Sequence, residues 1–136
     1  MNALSAPRVT AVEVALRALS LALVAGICGQ FFLAGLSIFS DAALWQLHGT
    51  AGGGLSLVIV GLLALSLASP SAQLYRRHAL LLFGLFCLQV LLVVLGHELD
   101  LAIVAALHPV NGLFMMGAAV ELVNKAFGRR DERRRR

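Results

Sequence analysis

The sequence predicts an all-α protein, a transmembrane four-helix bundle made of two tandem repeated helical hairpins. Three observations predict this fold. Hydrophobic residues make up 60% of the 136 residues and charged residues only 13%, with a mean hydropathy of +0.88, which lies far outside the range of soluble domains. The apolar residues form four runs, each long enough for the roughly 20 residues that a bilayer crossing needs. The second pair of runs also repeats features of the first pair.

The first two apolar runs predict the first hairpin. A frayed amino-terminal segment, residues 1 to about 11, precedes a helix over about residues 13–40. Ser40-Asp41 then offers a side-chain N-cap for a second helix over about residues 42–69. The second helix is rich in glycine, which in a membrane lets another backbone or a flat ligand come close. The same surface is suited to a homodimer seam.

The other two runs predict the second hairpin. A polar connection leads to a third helix over about residues 79–97, and Asp100 is the candidate N-cap of a fourth helix over about residues 101–127. Gly128 suits a helix C-cap. Residues 128–136 are too charged to bury anything, so we expect a disordered basic tail beyond one transmembrane domain, residues 1–127.

The positive charges predict the orientation in the membrane. All eleven Lys and Arg residues lie at the amino end, in the middle connection or at the carboxyl end, which four crossings place on one side. The positive-inside rule then places both termini in the cytoplasm, with the chain in the plasma (inner) membrane. Because these residues flank apolar runs, we expect the lipid bilayer as the partner and no nucleic acid.

The internal repeat is carried by two similar segments, LHGTAG at residues 47–52 and LHPVNG at residues 107–112. Aligning the two hairpins, with one extra residue in the second copy, matches residue types that are rare inside membranes. The matched pairs are Cys28/Cys87, Gln30/Gln89, Leu33/Leu92, Asp41/Asp100, His48/His108 and Gly52/Gly112.

His48 and His108 are the candidate metal ligands, because an imidazole inside an apolar run is costly and indicates a functional site. Each lies seven or eight residues beyond its predicted cap, so both lie about 10 to 12 Å down their helices at 1.5 Å per residue. If the second and fourth helices are diagonally opposed, both rings reach one central metal. Gly52 and Gly112, four residues further on, share the histidine faces and would clear room for a flat macrocycle.

Haem b is the cofactor that this pair favours. A structural zinc ion needs four protein ligands, and no Cys or His completes such a set at this depth. Iron saturated by two imidazoles has no open position, so we expect one-electron transfer. Gln30 and Gln89, near the membrane midplane, either line the cofactor or form interhelical hydrogen bonds. The outer turns contain no Lys or Arg to receive haem propionates, so His97, water and backbone donors would have to do so.

The arrangement resembles one four-helix half of haem A synthase, a membrane enzyme whose halves carry histidine pairs on their second and fourth helices. The resemblance implies haem ligation by His48 and His108. That family's catalytic half has an acidic residue shortly before a ligand histidine, whereas Trp45-Gln46-Leu47 precedes His48 here, so the oxidase chemistry is not implied. Residues 30–35 and 107–112 are also similar to segments of small uncharacterised bacterial four-helix membrane proteins.

The sequence thus predicts a membrane-embedded b-type haem-binding protein with bis-histidine ligation. It would exchange electrons with a quinone or a redox partner protein. The alternative is a cofactor-free membrane protein, either an accessory subunit or a small permeation unit, in which the histidines help packing or line a polar path. The sequence has no GxSxG, phosphate-binding glycine loop or HExxH motif, which excludes a conventional hydrolase or kinase. Any enzymatic activity would be that of a membrane oxidoreductase.

Overall fold

The computed structural model describes residues 10–134, and side chains as far as Gly128. Within that range the chain forms four long helices and one short 3-10 helix, and no strand. The elements are α1 (Ala11–Phe39), α2 (Leu44–Ala68), the 3-10 helix (Pro70–Tyr75), α3 (Arg76–Glu98) and α4 (Ala102–Arg134). The predicted all-α, four-helix fold is confirmed.

The long helices have the properties of membrane spans. Four helical segments between residues 11 and 128 are long and apolar enough to cross a membrane, which indicates a multi-pass membrane protein. Many large apolar side chains face outward, among them Phe32, Leu57 and Ile103 with 66%, 77% and 76% of their surface exposed. Such a surface is stable in contact with lipid and not in contact with water.

The helices are arranged in a ring. α1 packs against α2 and α4, and α3 packs against the same two helices. α2 and α4, which carry the two candidate ligands, therefore lie diagonally opposite each other across the bundle axis.

Packing is uneven along the bundle. The fully buried large side chains, including Leu23, Ile59, Leu62, Leu82 and Leu122, come from all four helices and cluster toward the end that holds the middle connection. α2, the whole of which is described, has no buried residue before Ile59. In the half of the bundle that contains the histidines, the buried residues therefore come from the other three helices and include Ser37, Gly96 and Asn111.

The amino end of α1 is fixed by a reciprocal cap that the sequence analysis did not identify. The Thr10 hydroxyl accepts a hydrogen bond from the Glu13 backbone N–H, and the Glu13 carboxylate accepts one from the Thr10 N–H, both at 3.2 Å. α1 consequently begins at Ala11, two residues earlier than predicted. The predicted frayed segment falls almost entirely on residues 1–9, which lie outside the described residues.

The predicted caps of α2 and α4 are corrected by the structure. Asp41 does not cap α2, which begins at Leu44; its carboxylate instead accepts from the Ala43 N–H at 2.8 Å within the preceding turn. Asp100 ends α3 and does not start α4. Its φ of 51° is left-handed, and the N–H groups of Asp100 and Leu101 donate to the carbonyls of His97 and Gly96 at 3.3 and 2.9 Å. That pair of bonds defines a Schellman motif.

The connection between the hairpins and the carboxyl end also differ from prediction. The residues expected to form a polar loop after Pro70 form the 3-10 helix, so α3 begins at Arg76 and not at about residue 79. α4 does not end at Gly128, because its backbone stays helical as far as Arg134. The tail contains Arg and Glu, which favour helix, and no proline that would stop it.

Candidate functional site

His48 on α2 and His108 on α4 face each other across the bundle. Their ring centroids are 6.2 Å apart, the ring planes meet at 61°, and both residues are partly buried. Two metal–nitrogen bonds of about 2 Å, with about 1 Å from each nitrogen to its ring centre, would place two imidazoles on one ion about 6 Å apart. The observed separation therefore fits a single metal ion between the rings.

Each histidine is oriented by a carbonyl of the preceding helix. The Nδ1 of His48 lies 3.1 Å from the Gln30 carbonyl oxygen, and the Nδ1 of His108 lies 3.3 Å from the Gln89 carbonyl oxygen. For His108, an Nδ1–H that donates to the Gln89 carbonyl leaves the lone pair on Nε2, as is usual for histidines that bind metals. The His48 Nδ1 also lies 3.1 Å from the Gln30 side-chain nitrogen when that carboxamide is oriented to satisfy both of its ends, and because this nitrogen can only donate, the two neighbours of the His48 Nδ1 favour opposite tautomers. The two predicted glutamines thus contact the two histidines through their backbones.

The side chain of Gln30 lies against the backbone of α2 beside His48. With its carboxamide oriented to satisfy both ends, the oxygen accepts from the Gly52 N–H at 2.9 Å. The nitrogen then donates to the His48 carbonyl at 3.0 Å and to the His48 Nδ1 at 3.1 Å. A Cβ on Gly52 would lie 3.3 Å from this carboxamide. The space beside Gly52, predicted to admit a macrocycle, is therefore taken by Gln30.

The side chain of Gln89 links His108 to a buried asparagine. Its amide nitrogen lies 3.3 Å from the His108 Nε2, and its oxygen accepts from the Asn111 amide. Asn111 is only 4% exposed and also donates to the Leu85 carbonyl at 2.8 Å. Because Gln89 donates to the His108 Nε2, its side chain must turn away before that nitrogen can bind a metal.

Two aromatic side chains border the pair. The edge of Trp45 meets the His48 ring at a centroid distance of 5.3 Å. Gly112 is buried, and a Cβ on it would lie 3.2 Å from the Phe31 Cζ of α1 and 3.5 Å from the Gln89 Nε2. Gly112 therefore lets Phe31 and Gln89 approach α4 closely.

Sequence reasoning missed Asn111 and Phe31. The sequence contains a pattern that could have indicated Asn111, since it is a carboxamide inside an apolar run and belongs to the LHPVNG segment. No sequence pattern indicates Phe31, because an aromatic residue in a membrane helix most often faces lipid. Cys28 and Cys87, which are matched in the internal repeat, are both exposed.

The described residues contain no cluster of three or more His, Cys, Asp or Glu side chains that could hold a metal ion. A metal between His48 and His108 would therefore have no third protein ligand of these types from the described part of the chain. The site therefore suits a metal ion whose remaining ligands come from a bound cofactor and not from the protein.

Residues 30–96, just under half of the chain, match a protein family of unknown function (DUF6220). The matched segment includes Gln30, His48, Gly52 and Gln89 but ends before His108. Comparison with curated proteins and with solved structures gives no match. The chain is thus similar to proteins whose function is not established, and the comparisons provide no link to haem A synthase.

Proposed function

We propose that the chain is a membrane-embedded b-type haem-binding protein in which His48 and His108 are the two axial ligands of one iron. The observation that carries this proposal is the 6.2 Å separation of the two rings across the bundle. Each ring also has its Nδ1 within 3.3 Å of a backbone carbonyl oxygen, and in His108 the bond donated to that oxygen leaves Nε2 as the ligand atom.

Haem suits the pair better than a bare metal ion does. The porphyrin supplies four nitrogen ligands, so only two protein ligands are needed, and two histidines complete the coordination. A structural zinc ion would need four protein ligands, and within the described residues no cluster of even three candidate side chains is present. When bound, the haem would supply a redox centre for one-electron transfer.

The packing of the bundle supports the same proposal. α2 has no buried residue before Ile59, so the wall of the bundle around His48 is loosely packed. A flat ligand between α2 and α4 would need the Gln30 side chain beside Gly52, the Gln89 side chain and the Phe31 ring to turn aside. The surrounding apolar side chains would then exclude water from the iron.

We also propose that the protein lies in the plasma membrane with both termini in the cytoplasm. The support is the positive charge, since Lys and Arg are confined to the amino end, the middle connection and the carboxyl end. In that orientation His48 and His108 lie in the half of the membrane away from the cytoplasm. Partners with which such a haem could exchange electrons are a membrane quinone or a second redox protein.

A second candidate function is a cofactor-free accessory subunit or permeation unit. The hydrogen bonds among Gln89, His108 and Asn111 favour it, because interhelical networks of this kind serve packing in membranes. In that case Gln89 is a permanent partner of His108.

The test is a reduced-minus-oxidised absorption spectrum of the protein purified from haem-replete cells. We expect the sharp bands of low-spin haem in the unaltered protein, and their loss in His48→Ala and in His108→Ala. His78→Ala is the matched control, because His78 lies at the other end of the bundle, and its bands should remain. A colourless unaltered protein would overturn the haem proposal and favour the second candidate.

Gln89→Ala separates the two candidates further. If His108 binds iron, removal of the amide frees its Nε2, and haem binding stays equal or becomes tighter. If the network serves packing alone, the same change only lowers the stability of the protein, by roughly 0.6 kcal/mol per interhelical hydrogen bond.

A further inference from the structure

A groove of about 400 Å³ runs along the outer surface of the bundle between α3 and α4. Its walls are apolar, with Leu81 and Leu85 on α3 and Phe114 on α4, and Gly117 lies midway along it. Among the described residues that line it, Glu121 is the one with a charge. From Leu113 to Glu121 the groove follows α4 for about 12 Å at 1.5 Å per residue.

The cytoplasmic end of the groove is polar. The Glu121 carboxylate lies 3.9 Å from the His78 Nε2, and its side chain is 73% exposed. His78 itself is not among the described residues that line the groove. One end of an apolar groove therefore has a carboxylate that can accept a hydrogen bond from a ligand.

The other end of the groove adjoins the candidate haem site. Leu85, which lines the groove, accepts a hydrogen bond from Asn111 through its carbonyl, and Asn111 is bonded to Gln89. Leu113, also a lining residue, follows Gly112 directly. A molecule in the groove would lie alongside the helix turns that hold His108.

We propose that this groove binds a neutral quinone-class ligand, with the apolar ring and tail along Leu85 and Phe114 and a ring oxygen at Glu121. A carboxylate at the groove end disfavours the phosphate of a phospholipid, whereas it accepts a hydrogen bond from a quinol hydroxyl. Lys125 and Arg77 act electrostatically on His78, so an anionic phospholipid is the competing occupant. The choice of a redox-active ring among neutral amphiphiles rests on the proposed function.

Gly117 allows the groove to be filled without disturbing the helices. A Cβ on Gly117 would meet no atom of the described residues within 4 Å, so Gly117→Leu projects its side chain into the groove and also raises helix propensity. Gly53→Leu on α2 is the matched control, because Gly53 is equally open and lies outside the groove. Leu81→Trp narrows the groove from the α3 side and provides a second variant.

The experiment uses a photoreactive azido-benzoquinone with a short alkyl tail, reduced to the hydroquinone so that it has the hydroxyl that donates to Glu121, and added to the full chain in nanodiscs of neutral phosphatidylcholine. We expect covalent labelling, mapped by mass spectrometry, within residues 81–85 and 113–121, and competition by a decyl-substituted benzoquinone that has likewise been reduced. Gly117→Leu and Leu81→Trp should weaken the labelling by about tenfold or more, whereas Gly53→Leu should leave it unchanged.

Three results would overturn the proposal: labelling spread evenly over the lipid-facing helices, labelling unaffected by both groove variants, or displacement by anionic phosphatidylglycerol but not by the benzoquinone. The same labelling in the haem-free double variant His48→Ala/His108→Ala separates this proposal from the haem proposal. If labelling is present and the unaltered protein is colourless, the quinone-binding proposal is supported and the haem proposal is refuted. If labelling is absent and the haem bands are present, only the quinone-binding proposal is refuted.

Discussion

Gly96→Ala tests whether the close approach of α3 and α4 at the outer turn holds the candidate site together. A Cβ on Gly96 would lie 2.8 Å from both the backbone nitrogen and the Cβ of Ala105, and 3.0 Å from its Cα. Carbon atoms in ordinary contact are about 3.5–4.0 Å apart, so the two helices must separate there by roughly 0.7 Å. No side-chain rotation relieves the clash, because the contacted atoms are backbone atoms and a methyl carbon.

The expected cost follows from two opposing effects. Overpacking of this kind typically destabilises a protein by about 1–3 kcal/mol. Alanine regains up to about 1 kcal/mol of helix propensity relative to glycine. We therefore expect a net loss of about 1–2 kcal/mol in the free energy of unfolding. The bond from the His108 Nδ1 to the Gln89 carbonyl is already 3.3 Å long, and a parting of the same helices would break it, which would weaken haem binding.

The assay is unfolding by sodium dodecyl sulfate in mixed micelles, followed by circular dichroism, with haem content measured on the same samples. Gly84→Ala is the matched control, since Gly84 lies on the same helix and a Cβ there would meet no atom within 4 Å in the part of the chain that the structure describes. The control should be as stable as the unaltered protein or slightly more stable. If Gly96→Ala unfolds at the same detergent fraction as Gly84→Ala, the reasoning about this contact is refuted.

Three further predictions concern single residues. Asp100 has a left-handed φ of 51°, which glycine adopts readily and valine does not. Asp100→Gly should therefore raise the free energy of unfolding by about 1 kcal/mol, and Asp100→Val should lower it by about 1 kcal/mol. Equal melting temperatures of the two variants in detergent would contradict this. Asn111→Leu should cost about 0.6 to 1.7 kcal/mol in the detergent titration through loss of the bond to the Leu85 carbonyl, and an unchanged midpoint would count against that bond. Arg17→Met removes the hydrogen bond that the Arg17 Nε donates to the Ala126 carbonyl at 3.0 Å, so backbone hydrogen exchange should become faster in the last turns of α4. Unchanged protection of those amides would show that this bond does not stabilise the end of α4.

The fold class was predictable from the sequence because the hydropathy of the chain and the length of its apolar runs are sufficient to determine it. A chain this apolar has to satisfy its backbone hydrogen bonds internally, and four runs of helical length leave few other structures. The helix ends were less predictable, because they depend on local competition among several donors and acceptors. Asp100, for example, is a suitable N-cap by residue type, yet its backbone conformation makes it the end of α3.

The meeting of His48 and His108 was also within reach of the sequence. Their similar distances from the outer turns place them at one level, and short connections place α2 and α4 on a diagonal. The roles of the two glutamines could not be predicted from the sequence, since the contact of the Gln30 carbonyl with His48 depends on how α1 is rotated about its axis. Residue size showed that Gly52 and Gly112 permit a close approach, but only coordinates show which neighbour uses the space.

Bis-histidine ligation is tested most directly by the low-temperature electron paramagnetic resonance spectrum of the oxidised, purified protein, recorded together with its haem content. The account predicts a low-spin ferric signal typical of two imidazole ligands, with one haem per chain, and its disappearance in both His48→Ala and His108→Ala. A high-spin signal in the unaltered protein, or a low-spin signal that survives either substitution, would contradict the account.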